Sequence, residues 1–183
     1  MILTNLAPDL RNVNLFLVGM MGAGKSTTGQ VLAQRLAYHF FDTDALIVQA
    51  TGQSVDAIFQ THGESGFRKI ETSVLAELAS YRNLVIATGG GIVLTPQNWS
   101  HLRHGLVVWL DVDLPTLWTR LNQDQSRPLL KTPDPRATLA ALLEARRSLY
   151  AQADVRVAVP GEASPEQVAE RVFAAIAPVL RRD

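Results

Sequence analysis

The octapeptide Gly19-Met20-Met21-Gly22-Ala23-Gly24-Lys25-Ser26 follows directly on the apolar run Val13-Asn14-Leu15-Phe16-Leu17-Val18. Thr27, Thr28 and the helically spaced Val31, Leu32, Arg35 and Leu36 come after it. A strand, a glycine-rich turn and a helix in that order constrain the chain to an α/β fold, and the octapeptide fits G-x-x-x-x-G-K-[ST] in full. Its glycines let successive backbone N–H groups turn inward around an anion. The helix that follows directs its positive dipole end at the same place. A nucleoside triphosphate is therefore the leading ligand, with Lys25 able to reach the β and γ phosphates and the Ser26 hydroxyl able to ligate Mg²⁺.

Composition narrows the setting. The chain has 183 residues, a length suited to one domain, and 47% hydrophobic content is ample for one core. Seventeen basic residues balance seventeen acidic ones, so the electrostatic case for a nucleic-acid or membrane-surface partner is missing. The absence of cysteine excludes disulfides and thiolate metal sites. Met1 to Val13 carries Pro8, Asp9 and Arg11 and has no apolar core of signal-peptide length, and no apolar stretch approaches a transmembrane span. The expectation is a soluble, cytoplasmic protein.

Short apolar runs alternate with longer helical patterns, which is how a parallel sheet flanked by helices reads. Strands are expected near 13–18, 39–42, 84–88, 106–110 and 155–159. Helices are expected over 25–37, 44–51, 54–62, 65–80, 95–103, 113–122, 135–150 and 164–180. Thr95-Pro96 and Ser164-Pro165-Glu166-Gln167 place a capping residue and a proline at helix starts, the second with Gln167 three residues after the serine. Residues 122–135 are polar and proline-punctuated, which suits either a surface loop or a lid that shields a phosphoryl-transfer site from water; they carry Arg127 and Lys131.

Four further constellations bear on what receives the phosphoryl group. Asp42 and Asp44 end the second strand at the carboxyl edge, where open α/β sheets bind ligands. In extended chain both would face one side, Asp42 supporting a Mg²⁺ hydration shell and Asp44 accepting a hydrogen bond or proton from an acceptor hydroxyl. The plain alternative is a solvated cap at Asp44. Arg68 and Glu71 stand three apart on a helix, so the carboxylate can hold the guanidinium beside Phe67 to read an acceptor carboxylate, or the two form an ordinary surface pair. The strand Leu84 to Thr88 ends in Gly89, Gly90 and Gly91, where many phosphate-loop proteins have a Mg²⁺-supporting aspartate; the cost of three glycines in chain entropy points to close backbone approach to a ligand, with a simple flexible turn as the plain alternative. Arg146 and Arg147 cannot share a helix face, so at most one enters the cleft.

In order and spacing these motifs resemble the shikimate kinase family over nearly the whole chain: 19–27, Asp42-Thr43-Asp44, Phe67-Arg68-Lys69-Ile70-Glu71, Gly89 to Gly91, Arg127-Pro128-Leu129-Leu130 and Arg146-Arg147-Ser148-Leu149-Tyr150. The resemblance implies a three-layer α/β/α phosphate-loop kinase of the nucleoside monophosphate kinase type, with five parallel strands in the order 2-3-1-4-5 and a lid over about 122–135. It implies ATP-dependent phosphorylation of the 3-hydroxyl of shikimate, on the chorismate route to aromatic amino acids, by a monomer. By motif position Asp44 would bind the hydroxyls and act as base, Arg68 and Arg146 would clamp the carboxylate, and Gly89, Gly90 and Gly91 would offer backbone N–H groups. Lys25 and Arg127 would meet the transferring phosphate. ATP would lie on Gly22, Ala23, Gly24, Lys25, Ser26 and Thr27, with the adenine between Arg120 and the loop at Pro165. Mg²⁺ would be held by Ser26, with Asp42 behind it through water. Ala163 stands where some relatives carry a basic residue, so one contact to the adenosine side is expected to be missing.

Two rivals share parts of this pattern. A gluconate-type or nucleoside monophosphate kinase has the phosphate loop and lid but is not expected to combine Asp42-Thr43-Asp44, Arg68, the glycine run and Arg146. A catalytically silent nucleotide or shikimate sensor would be expected to lose some of Lys25, Asp44, Arg68, Arg127 and Arg146, all of which are present.

Overall fold

A computed structural model describes residues 10, 12–124 and 127–180. Its centre is β1 (Asn14–Val18), buried at every position. β1 pairs in parallel with β3 (Leu84–Ala87) on one side and β4 (Gly105–Asp111) on the other, Leu17 standing opposite both Ala87 and Val108. β2 (His39–Asp42) and β5 (Val155–Ala158) complete a parallel sheet of order β2-β3-β1-β4-β5, the order that the family resemblance implies. Strands covered on both faces need continuous apolar runs, and Leu-Val-Ile-Ala and Leu-Val-Val-Trp-Leu supply them. Because the strand order reverses at β1, its carboxyl end opens on the crevice where the phosphate loop lies.

The flanking helices are α1 (Lys25–Leu36), α2 (Thr43–Thr51), α3 (Val55–Ala79), α4 (Pro96–Leu102), α5 (Leu114–Leu121), α6 (Pro135–Tyr150) and α7 (Pro165–Leu180), with 3₁₀ turns at Ile92–Leu94 and Pro128–Leu130. α3 is one helical run broken at Gly63 (φ 67, ψ 178), the point where the sequence reads as two helices. The capping box at α7 forms in both directions: Ser164 N–H donates to Gln167 Oε1 and Gln167 N–H to Ser164 Oγ. Thr95 occupies the cap position of α4, but its hydroxyl makes no capping bond; Pro96 sets the helix start instead. Among the described residues no helix is long and apolar enough to cross a membrane.

Packing divides into two clusters. The larger lies on both faces of the sheet; the smaller joins Ile47 of α2 to Ile58 and Phe67 of α3, with the Phe59 and Phe67 rings 4.8 Å apart. Burying a side chain such as Phe67 stabilises by about 1.5–3 kcal/mol, and here that burial fixes the two helices that carry Asp44 and Arg68. Part of the expected lid, residues 125 and 126, lies outside the described residues, as does most of the stretch 1–13 read for a signal peptide. Beyond that gap Leu130 is buried and Lys131 Nζ donates to Asp56 Oδ1 of α3 at 2.8 Å.

Candidate active site

Gly19, Gly22 and Gly24 have φ of 142°, 78° and 87°, values that L side chains rarely adopt. Gly24 is also the cap of α1 and brings no side-chain acceptor, so the first-turn N–H groups stay available to an anion. Lys25 is buried, and its Nζ donates to Gly19 O and Met20 O, both at 2.8 Å. Burial pulls its pKa from 10.5 down to about 8, with Asp44 the strongest opposing influence and Arg127 adding to the fall.

Ser26 Oγ donates to Asp42 Oδ2. The other carboxylate oxygen of Asp42 accepts from the N–H groups of Asp44 (3.0 Å) and Ala45 (3.2 Å). Asp42 is thus the cap of α2, which corrects the expectation of two carboxylates on one extended face: the strand stops at Asp42, and Asp44 sits in the first helical turn. Asp44 reaches the cleft all the same, and it is not the cap. Its Oδ1 is buried without a hydrogen-bond partner. Burial, then the neighbouring Asp42 charge, push its pKa up, while Lys25, Arg127 and Arg68 pull it back.

A cleft of about 780 Å³ is lined by Gly22 to Thr28, Asp42, Asp44, Gly90, Arg120, Arg127, Ala163 and Pro165. Every residue expected on the nucleotide side therefore faces one space. Arg120 spans it, with Nη1 on Gly22 O (2.9 Å) and Nη2 on Gly161 O (3.1 Å). A second compartment is lined by Met21, Val55, Phe59, Phe67, Arg68, Glu71, Gly89, Gly91, Pro128, Leu129 and Arg146, and Asp44, Gly90 and Arg127 border it as well. The two compartments meet at Met21, Asp44, Gly90 and Arg127.

The Arg68–Glu71 pair is no surface bridge. Glu71 is wholly buried and its Oε2 accepts from Arg68 Nη1 at 2.8 Å, while Arg68 Nη2 donates to Glu64 Oε1 at 2.9 Å. The guanidinium carbon lies 5.3 Å from the centre of the Phe67 ring. Burial pushes the Glu71 carboxyl up and Arg68 opposes it. Arg146 is 3% exposed and its Nη1 donates to Gly90 O at 3.3 Å, whereas Arg147 lies outside and pairs with Glu144. Arg127 Nε donates to Asp124 Oδ2 at 3.0 Å.

The glycine run behaves differently from the expectation in one respect. The Gly89 N–H donates to Thr43 Oγ1 at 2.9 Å, so it is committed within the protein and does not face the cleft as a donor. What Gly89 and Gly91 provide is room. A Cβ on Gly91 would stand 2.2–2.5 Å from the Arg68 guanidinium, and one on Gly89 would stand 2.5 Å from Glu71 Oε1 and 2.9 Å from Asp44 Oδ1.

Sequence reasoning did not single out Thr43, Met21 or Tyr150 as individual residues of the site. Tyr150 did carry a signal, since it stands four residues after Arg146 and must share its buried face. Thr43 and Met21 carried none, being ordinary members of a helix start and a loop.

A shikimate kinase family model matches residues 21–177. A shikimate kinase of Synechococcus elongatus is 54% identical over 177 residues, which cover 97% of this chain and 93% of that protein. Among solved structures, a shikimate kinase from Acinetobacter baumannii in complex with shikimate superposes with a TM-score of 0.87 at 35% identity, covering 96% of this chain and 97% of that one. A gluconokinase from Sinorhizobium meliloti shares the fold at a TM-score of 0.63 and 19% identity, covering 93% and 94%. With a parallel sheet of order 2-3-1-4-5, a complete phosphate loop and a family match over most of its length, the chain belongs to the shikimate kinase family.

Proposed function

We infer that the protein transfers the γ-phosphoryl group of ATP to the 3-hydroxyl of shikimate, giving shikimate 3-phosphate and ADP on the chorismate route to aromatic amino acids. The observation that carries this reading is Asp44: a buried carboxylate oxygen without a partner, at the junction of a phosphate-binding cleft and a compartment flanked by the buried Arg146 and the partly exposed Arg68. The acceptor is a small monoanion with hydroxyls, and the second compartment offers Arg68 and Arg146 for its carboxylate and Val55, Phe59 and Leu129 for its ring.

Within this reading residues 1–183 form one kinase domain with 122–135 as its lid, acting as a monomer in the cytoplasm. Asp44 orients the acceptor hydroxyl toward the γ-phosphorus. As the new O–P bond forms and the bond to the bridging oxygen of ADP breaks, the hydroxyl proton passes to Asp44. A free hydroxyl is far too weak an acid to ionise beforehand, so this transfer comes late. Lys25 and Arg127 offset charge on the transferring group, and Arg120 and Pro165 flank the base. The Ser26 hydroxyl and the Asp42 carboxylate meet at the start of α1, an oxygen pair suited to Mg²⁺. Among the described residues no group of three or more His, Asp or Glu side chains is placed to hold a metal ion. When bound with ATP, Mg²⁺ neutralises phosphate charge.

An assay of ADP release with shikimate, quinate, gluconate and nucleoside monophosphates tests the reading directly. Stimulation by a nucleoside monophosphate and not by shikimate would overturn it.

Two smaller effects belong to the same site. Gly91→Ala forces the Arg68 guanidinium aside, and a lost charged hydrogen bond of about 1.5–3 kcal/mol corresponds to a KM for shikimate raised roughly 10- to 100-fold. The KM for ATP should stay within about twofold, because steady-state kinetics would be reading a change confined to the second compartment. Lys25 in the free protein loses its proton above about pH 8. ATP affinity, measured by titration, should therefore weaken by up to about tenfold per pH unit above that value. The stability effect has the opposite sign: between about 8 and 10.5 the unfolded chain binds more protons at this residue, so the fold gains stability as pH rises. Lys25→Met should abolish both slopes.

A further inference from the structure

Tyr150 is wholly buried at the end of α6, and its hydroxyl donates to Gly90 O. Arg146, one turn earlier, donates to the same oxygen. A carbonyl oxygen has two lone pairs, and here the phenol takes one and the guanidinium the other. Met20 Sδ of the phosphate loop lies 3.5 Å from the phenol oxygen. A Cβ on Gly90 would stand 3.1 Å from the Met21 nitrogen, so this residue also packs against the phosphate loop. The peptide concerned lies in the middle of three successive glycines, the sequence least able to hold a carbonyl in one direction by itself. Burial pushes the phenol pKa up to about 12, so the hydroxyl remains a donor at any working pH.

We propose that Tyr150 is a positioning residue for shikimate recognition: its hydroxyl pins the Gly90 carbonyl, and that carbonyl sets the direction in which Arg146 presents its guanidinium. The inference rests on the reading of Arg146 as a carboxylate ligand. The rest of the Tyr150 ring does separate work, lying against Trp109 with ring centres 5.9 Å apart, and Tyr150→Phe keeps that packing. The turn around Gly90 is closed by Ile92 N–H on Gly89 O (3.1 Å) and Leu94 N–H on Gly91 O (3.0 Å), but the Gly90 oxygen itself is held by Tyr150 and Arg146; without the hydroxyl it loses one of these two donors, and the acceptor that directs Arg146 is held less firmly.

The test compares shikimate with its methyl ester, which keeps the ring and hydroxyls and lacks the negative charge. The expected result for Tyr150→Phe is a kcat/KM for shikimate lowered about 5- to 10-fold, the size of one lost neutral hydrogen bond. The ester's kcat/KM and the KM for ATP should be unchanged, so the preference for the acid falls by the same factor. Equal losses with acid, ester and ATP would overturn the proposal and leave Tyr150 a packing residue. Arg146→Lys separates the two claims. If it lowers the preference for the acid and Tyr150→Phe does not, the carboxylate clamp stands and the role of Tyr150 is wrong. If Arg146→Lys leaves the preference unchanged, the clamp reading fails and the proposal falls with it. Should Tyr150→Phe not fold, fluorine NMR on wild-type chains carrying 3-fluorotyrosine supplies the answer, with Tyr150 assigned by elimination through Tyr38→Phe and Tyr81→Phe. Its resonance should move on saturation with shikimate and not with the ester; an unmoved resonance overturns the proposal.

Discussion

Asp44→Asn is expected to lower kcat with shikimate by about 10³-fold, within the 10²–10⁴ range of a positioned acid–base group. The amide keeps the size of the side chain and can still meet a hydroxyl, but it cannot take its proton. The phosphate contacts belong to the loop and to Lys25, but the Asp44 charge is the strongest influence holding the Lys25 proton, so nucleotide affinity should hardly change in mild acid and should begin to weaken at a lower pH than in the wild type. The same substitution should stabilise the fold. The pKa of Asp44 is raised, burial being the main cause, so the folded state holds this proton more tightly than the unfolded chain does. Its contribution is therefore fully present below the ordinary carboxylate value and is lost as pH rises through the raised one. At neutral pH the ionised group is a net cost, and Asn removes it. Thermal unfolding at pH 7 should give a higher midpoint for the variant, with the difference shrinking in acid. A lower midpoint that is independent of pH would mean that Asp44 contributes to the fold through contacts and not as a buried charge. The acid limb of kcat/KM in the wild type should likewise lie above the usual carboxylate range.

Glu71→Ala should have the largest effect on stability, about 3 kcal/mol, the low end for removing one member of a buried ion pair because Arg68 keeps Glu64 as a second partner. For a chain of this length that corresponds to a fall in midpoint of roughly 10 °C. Arg68 would keep only the half-exposed Glu64, on its other nitrogen, and would swing toward it and out of the second compartment. The KM for shikimate should rise while that for ATP stays constant. Glu71→Gln keeps a hydrogen-bond acceptor for Arg68 and should cost less. Chemical denaturation of both variants checks the order, and a loss below about 1 kcal/mol for Ala would show that the pair behaves like a surface bridge despite its burial. Glu71 also has an oxygen, Oε1, that is buried without a partner beside the Gly89 backbone. It is thus held by one strong interaction.

Much of this site was legible in the linear chain, and particular residues show why. The phosphate loop reads correctly because all of its determinants are local: glycines where φ must be positive, a lysine next to them, and an apolar run whose only stable place is between two other strands. Arg68 and Glu71, three apart, had to meet once a helix formed. Arg146 and Arg147, one apart, could not both turn inward. Asp42 and Asp44 were harder, since two carboxylates at spacing two face together in a strand and apart in a helix. The chain changes from one to the other between them, and the Asp42 carboxylate itself caps the new helix by binding the Asp44 and Ala45 N–H groups. The three glycines signalled close approach but not to what. Gly89 gives its N–H to Thr43, forty-six residues away, and Gly91 makes room for Arg68.

The sequence by itself determined the nucleotide chemistry, the alternation of strands and helices, and which side chains share a helix face, because each depends on neighbours within a turn or two. Only the tertiary structure decided which charges are buried and which carbonyl each donor meets. The Ser26–Asp42 contact and the Gly90 oxygen shared by Arg146 and Tyr150 exist because the fold brings the carboxyl ends of β1, β2 and β3 together, whereas the Arg68–Glu71 pair is set by helix spacing and owes to the fold only the burial of Glu71. Burial then fixes Glu71, Arg146 and Tyr150 on the partners that packing gives them. In water each of these groups would exchange among solvent partners; inside the protein, packing selects the few that it meets.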